Sequence, residues 1–428
     1  MTEHAKKSDH LQLVDAPKTA TVEIPLPLLG AFANIERSFF DLCIDAGQQV
    51  LVSMMEQDRE DFCGPRWKRD ADRKAGRAGT TPSEVTLGGR RIGMKRPRVR
   101  SQEGKEVRLP SFAFAARRDP LDRHALDAVA CGISSRRYAR SLDPLPKETD
   151  ERSVSKSSVS RRYVAMTTKQ MTTWLTTPLG DRHFPIVMID GIVLGDHTIL
   201  IALGIDLEGK KQVLGLREGD TENGRVAKAL LRDLVARGID PERARLFVID
   251  GAKALRSAIR KVFGDLGVVQ RCQLHKRRNI LGHLPVGMQA SVKSILKEAW
   301  SLGDAKLART RLDRLASSLE ADHPGAAASV REGLEETLTL QGLGIEGTLY
   351  RKLRSTNAIE NLNSGIATYS KNVKRWQGGS MVVRWVSAAI VEAGKKFRRV
   401  HGWRDIEKLV RALDLIEAKE EATAERVA

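Results

Sequence analysis

Apolar positions along this chain change their period several times, and each change marks a different kind of element. From Leu28 to about Asp61 they recur every three or four residues, as they do on an amphipathic helix. The residues before position 25 are polar and predict no packed element. Between Arg66 and Arg118 the chain turns rich in Arg, Lys and Gly, and LGGRRIGMKRPRVRSQEGKEVRLPSF reads as short strands about a turn at Glu103-Gly104. Short helices separated by tight turns are expected from 119 to 178, the last opening as SVSKSSVSRRYVAM. After His183 the period falls to two. HFPIVMIDGIV, HTILIALGID and KQVLGLREG predict three strands joined by turns at Gly195-Asp196 and Glu208-Gly209. TENGRVAKALLRDLVARG is helical, ARLFVIDG a fourth strand, AKALRSAIRKVFG a helix and VVQRCQLH a fifth strand. From Lys276 to about Leu349 no strand pattern appears, and polar-faced helices fill the run. RSTNAIENLNSGIATYSKNVKRW and MVVRWVSAAIVEAGKKFRRV are also helical, before an acidic, alanine-rich tail.

Three antiparallel strands followed by two strand-and-helix crossovers is the order of an RNase H-like domain. The expected fold class is therefore α/β: an RNase H-like catalytic domain with an all-α insertion, preceded by helical and helix-turn-helix-like regions. The divisions predicted are a helical region over 1–65, a basic strand-rich segment over 66–119 and a helix-turn-helix-like domain over 120–178. The first part of the catalytic domain spans 179–275, the insertion 276–349, the second part 350–400, and a helical tail 401–428.

Charge narrows the partner. The 428 residues carry a net charge of +18 and a pI near 9.9, which predicts a polyanionic partner, nucleic acid before anionic membrane. No apolar run approaches the roughly 18 residues that span a bilayer. The start of the chain lacks the apolar core of a signal peptide, so a cytoplasmic protein is expected. Cys43, Cys63, Cys131 and Cys272 are too scattered to form a disulfide framework.

Candidate chemistry centres on three carboxylates. Asp190 and Asp250 close apolar β-branched runs, and Glu360 lies in helical sequence beyond the long helical run. Two strand-borne aspartates and a helix-borne glutamate suit a pair of hard divalent cations, Mg²⁺ with Mn²⁺ able to substitute, because such ions take oxygen ligands and few of them from protein. A pair of cations can clamp the attacking and leaving oxygens of a phosphodiester displacement. Each acid also has a plainer reading: Asp before Gly is a common turn residue, and Glu360 three residues after Asn357 has capping-box spacing. Cys272 and His275 form CxxH, half of a zinc site with no further Cys or His at matching spacing. Lys253, Arg271, Lys276, Arg277 and Arg278 fall near the strand ends as phosphate contacts. Lys156, Arg161 and Arg162 fall on the helix expected to read bases. The GxGxxG at Gly342, Gly344 and Gly347 neither follows a strand nor opens a clear helix, so no dinucleotide site is expected, and no GxxxxGK[ST] loop occurs for a nucleotide cofactor.

IDG with Asp190, VIDGAKAL with Asp250, QRCQLHKRRN with Cys272 and His275, and STNAIENLN with Glu360 resemble the bacterial mutator-type insertion-sequence transposases of the DDE class. The resemblance runs from about Leu121 to Arg399. It implies an RNase H-like fold with a helical insertion, metal-dependent cleavage and strand transfer of DNA, and a structural or DNA-positioning role near the active site for Cys272 and His275. Terminal inverted repeats and target DNA are the implied partners, with a homodimer bringing two ends together. Two other functions stay open: an RNase H-like nuclease such as a junction resolvase, which cuts without joining, and a catalytically silent DNA-binding regulator derived from a transposase.

Overall fold

The computed structural model describes residues 35–68, 73–87, 90–117, 151–152, 156–219, 223–371 and 373–427. They form two compact units that separate in sequence between Arg162 and Tyr163.

In the first unit, helix α1 (Ile35–Cys63) realises the first amphipathic run. The basic segment forms a long antiparallel ribbon of β1 (Ala75–Leu87) and β2 (Arg90–Ser101), paired from Ala75 opposite Ser101 to Leu87 opposite Arg90. At the expected turn, Gly104 has φ +77° and the Ser101 N–H donates to Lys105 O at 2.8 Å. The short β3 (Glu106–Val107) then returns along β2, and β4 (Glu151–Arg152) pairs with β2 at Arg91 and Ile92. Helix α2 (Pro110–Arg117) was not legible in the sequence; Asp58 Oδ2 accepts the Ser111 N–H at its start at 2.7 Å. Met55, Cys63, Ala75, Val99 and Leu109 make a small core. The first two short helices expected between 119 and 142 lie outside the described residues. The third is present as α3 (Lys156–Thr176).

The second unit is built on a five-stranded sheet of order β7-β6-β5-β8-β9. Strands β5 (Ile186–Leu194), β6 (His197–Ile205) and β7 (Lys211–Glu218) are the antiparallel meander. Strand β8 (Arg245–Ile249) lies parallel to β5, and β9 (Gly267–Arg271) parallel to β8. Helices α4 (Gly224–Ala236) and α5 (Lys253–Phe263) make the crossovers. Alternation sends Val187, Ile189, Leu200, Phe247 and Ile249 to the face covered by α4 and α5. Ile186, Met188, Ile201, Leu246 and Val248 face the other side.

After β9 the chain is helical: α6 (Gln273–Gly282), α7 (Val286–Ser301), α8 (Ala305–Leu319), α9 (Pro324–Arg331), and the short α10 (Leu334–Thr337), α11 (Thr339–Gly342) and α12 (Gly347–Leu353). Their own core holds Leu296, Trp300, Leu312 and Leu315. The run does not stand apart from the sheet. Thr339 Oγ1 donates to Val269 O at 2.6 Å, Gln270 Nε2 to Thr337 O at 3.2 Å, and the Leu340 N–H to Gln270 Oε1 at 3.0 Å. Then α13 (Asn357–Ser370) and α14 (Gly379–Gly394) cover the sheet's second face. The acidic tail is α15 (Ile406–Val427), and Ile406, Leu409 and Leu413 anchor it in the same core.

Candidate active site

Strand register brings the two aspartates together. Ile189 pairs with Ile249 across the parallel β5 and β8, so Asp190 and Asp250, the next residues on each, emerge side by side. Alternation then sets the face. Asp190 follows Met188 by two positions and Asp250 follows Val248 by two, which puts both carboxylates on the α13 side. Helix α13 is held there by Ile359, Leu362 and Ile366, all buried at helical spacing, each worth about 1.5–3 kcal/mol of burial. That anchoring turns Glu360, in the first turn, toward the aspartates, whose fields it shares. Gly251 permits the exit from β8: its φ is +107°, and a Cβ there would stand 2.2 Å from Arg271 Nε.

Each carboxylate has an oxygen held by a protein donor. The Ala252 N–H donates to Asp250 Oδ1 at 2.9 Å, Thr356 Oγ1 to Glu360 Oε1 at 2.7 Å, and Asn363 Nδ2 to Asp190 Oδ2 at 2.9 Å. A carboxylate offers about four lone-pair sites, so acceptor capacity remains on all three. Burial, with the neighbouring charges of Asp250 and Glu360, pushes the Asp190 carboxyl up to about 6, against the opposing pull of the Gly191 backbone and His275. The strand ends thus concentrate negative charge in a half-buried place.

The CxxH pair packs beside Glu360. Cys272, His275 and Glu360 offer ligand atoms that all lie within 4.8 Å of one another. The Thr356 hydroxyl, however, sits among them, 3.4 Å from Cys272 Sγ and 3.4 Å from His275 Nδ1. In this structure the hydroxyl joins the three side chains by hydrogen bonds. A hydroxyl has one proton, and the short contact commits it to Glu360. A hydrogen bond with Cys272 raises the His275 pKa against burial, and Glu360 and Asp190 raise it further. For Cys272, burial pushes the thiol up, but hydrogen bonds with His275 and Thr356 outweigh it and hold it low.

The expected capping box does not form. Helix α13 starts at Asn357 with Thr356 as its N-cap, which leaves Glu360 one position too far along, and no N-cap side-chain hydrogen bond is made. Thr356 and Asn363, the residues that hold two of the acids, were not singled out from the sequence. Their signal was present in STNAIENLN, where Thr356 and Glu360 stand four apart and Glu360 and Asn363 three apart, both spacings that share a helix face.

The predicted phosphate contacts divide into two groups. Arg271 and Lys276 are buried and committed to Glu332: Arg271 Nη1 donates to its backbone O at 3.0 Å and Nη2 to Oε2 at 3.2 Å, while Lys276 Nζ donates to the same backbone O and lies 3.5 Å from Oε2. These two cations are spent on Glu332 of the helical run at the sheet edge and are not presented to a ligand. Lys253 is exposed, 3.8 Å from Glu332 Oε1, Arg277 is half-buried and Arg278 exposed. On α3, Arg161 is exposed and donates to Ser157 O at 3.3 Å. The side chains of Lys156 and Arg162 lie outside the described residues.

Beyond the geometry, a family model described as Transposase, Mutator family matches residues 31–400, and the chain belongs to that family. The match starts far upstream of residue 121, where the sequence resemblance began, and takes in the basic ribbon. Among similar proteins is the transposase for insertion sequence element IS256 in transposon Tn4001 of Staphylococcus aureus, 24% identical over 358 residues, 80% of this chain and 87% of that protein. The transposase for insertion sequence element IS406 of Burkholderia multivorans is 26% identical over 377 residues, 86% and 94% of the two chains. That for element IST2 of Acidithiobacillus ferrooxidans reaches 34% identity over 163 residues, 38% of this chain and 53% of that one. No helix among the described residues is long and apolar enough to cross a membrane.

Proposed function

We propose that this protein is a DDE-type transposase that binds the terminal inverted repeats of an insertion sequence and cuts and joins DNA at the Asp190–Asp250–Glu360 site. The observation that carries the reading is that Asp190 and Asp250 follow paired residues of two adjacent parallel strands, and that the charge of Glu360, on a helix more than a hundred residues further on, reaches Asp190. The strand order β7-β6-β5-β8-β9 supports an RNase H-like fold for the domain, with the helical run before α13 as its insertion.

The donor set fits hard divalent cations: three carboxylates, with the Asp190 pKa raised first by burial and further by the charges of Asp250 and Glu360, both of which a cation would offset. Asp190, Asp250 and Glu360 would hold two Mg²⁺ ions, which supply activation of a water or 3′-hydroxyl nucleophile and stabilisation of the leaving oxygen. The chain's own residues set the stage. Ala252 and Thr356 fix the rotamers of Asp250 and Glu360, and Cys272 and His275 hold Thr356 in turn. Lys253, the first residue of α5, and Arg277 and Arg278, midway along α6, bind the phosphates flanking the scissile bond. The basic ribbon of β1 and β2 and the exposed side of α3 serve end recognition, with affinity that falls steeply as salt rises. Two copies on paired ends make a homodimer the working species, in the cytoplasm and on the nucleoid.

The test uses Asp190→Ala, Asp250→Ala and Glu360→Gln in the full chain, assayed by gel shift on terminal-repeat DNA, nicking, and strand transfer into a plasmid. Each variant is expected to bind DNA near the parent's affinity and to lose both nicking and joining. A Glu360→Gln protein that nicks at a rate close to the parent's refutes the assignment. Cutting without joining by the parent selects the resolvase reading instead.

A further inference from the structure

Asn363 stands between the helix that carries Glu360 and the strand that carries Asp190. It lies three residues after Glu360 on α13, a spacing that puts the two side chains on one helix face. Its Nδ2 donates to Asp190 Oδ2 at 2.9 Å and approaches Gly191 O at 3.4 Å. Both neighbours are acceptors only, so the amide has one orientation here: the NH₂ group must face β5. Its Oδ1 is buried and has no hydrogen-bond partner among the described residues. Leaving a buried amide oxygen unpaired costs about 1–3 kcal/mol, a cost that a side chain needed only for packing would not carry. An apolar residue of the same size would fill the space without it.

We propose that Asn363 is a positioning residue for the metal-dependent chemistry. Its amide donates to one oxygen of Asp190 and so orients the carboxylate with its remaining lone pairs toward Asp250 and Glu360. The same hydrogen bond sets the distance between α13 and β5, and with it the reach of Glu360. One side chain therefore couples two of the three acids, and no backbone hydrogen bond among the described residues links these two elements. The inference rests on the metal-site reading above. It adds that the bond from Asn363 to Asp190, and not merely the three carboxylates, sets cation affinity.

The experiment compares the full-length parent with Asn363→Leu, Asn363→Ala and Asp190→Ala. Leu keeps the volume and removes the donor, whereas Ala removes both. Mn²⁺ binding without DNA is read by the electron paramagnetic resonance of free Mn²⁺, thermal unfolding by calorimetry, and nicking as a function of Mn²⁺ concentration. Outer donors of this kind typically govern cation affinity by about 10–100-fold. Asn363→Leu and Asn363→Ala are both expected to weaken Mn²⁺ binding by about that factor, with the nicking midpoint shifted in parallel and much of the maximal rate recovered at high Mn²⁺. The unfolding temperature of Asn363→Leu should stay within a few degrees of the parent's. Parent-like Mn²⁺ binding by Asn363→Leu, in a preparation where Asp190→Ala abolishes it, refutes the positioning role and leaves the metal site standing. A parent that binds no Mn²⁺, or an Asp190→Ala variant that binds it normally, refutes both.

Discussion

Lys276 offers a test of how the helical run is fastened to the five-stranded sheet. It is 1% exposed, and its ammonium group meets the backbone oxygen and carboxylate of Glu332. Burial, reinforced by the positive charge of Arg271, lowers its pKa from 10.5 to about 8 although Glu332 pulls the other way. The folded state therefore binds fewer protons at this group than the unfolded chain between those values, and its stability rises with pH across that window. The gain is complete above the unfolded pKa and is lost as pH falls through the folded one. At 1.4 kcal/mol per pKa unit, burying the Lys276 amine costs the fold about 3 kcal/mol at pH 7, where it is charged, and about 1 kcal/mol at pH 9.5, where the folded group is largely neutral. Lys276→Met retains the length of the stem and removes the charge. Glu332 is not stranded by the change, because Arg271 still reaches both its backbone oxygen and its carboxylate, which is 44% exposed. Against a lost hydrogen bond worth about 1 kcal/mol, the variant should be about 2 kcal/mol more stable than the parent at pH 7. At pH 9.5 the two should be nearly equal. Denaturant unfolding of both proteins at the two pH values measures this as a difference between them, in which other titrations cancel. Parallel stability profiles, or a variant less stable at pH 7, would show that the Lys276–Glu332 contact stabilises the fold and that the burial argument is wrong.

Thr356→Val removes the hydroxyl that holds Glu360 and leaves buried polar groups around Cys272 without their partner. A loss of about 1–3 kcal/mol is expected in unfolding experiments, with nicking falling further than DNA binding. Normal nicking by this variant would show that Glu360 needs no such support. Gly251→Ala places a methyl group against Arg271 at a backbone angle that side chains avoid. It should destabilise the sheet edge by about 1–3 kcal/mol from the backbone alone, read as increased hydrogen exchange in β8 and β9, and unchanged exchange there would contradict the geometry.

Much of the architecture was legible because its signals are local. Period-two alternation named β5 to β9 in order, and glycines at Gly195 and Gly209, both with positive φ, marked the hairpin turns. Periodicity likewise found α1, α4, α5 and the long helical run. The same alternation that defined the strands implied that Asp190 shares a face with Met188, and Asp250 with Val248. What those faces look toward was not readable, because alternation assigns sides and does not say which helix covers each one. Only the tertiary structure showed that α13 lies across the aspartates, that Asn363 and Thr356 hold the acids, and that Arg271 and Lys276 are buried against Glu332. In sequence those two cations are indistinguishable from Arg277 and Arg278. The difference comes from Glu332, more than fifty residues away in the chain, whose approach is set by how the helical run packs against the edge of β9. The sequence by itself determined the strands, the order of the acids and the family to which the chain belongs. Which charges stay exposed and which are consumed within the fold was decided by contacts between distant segments, and no local pattern records them.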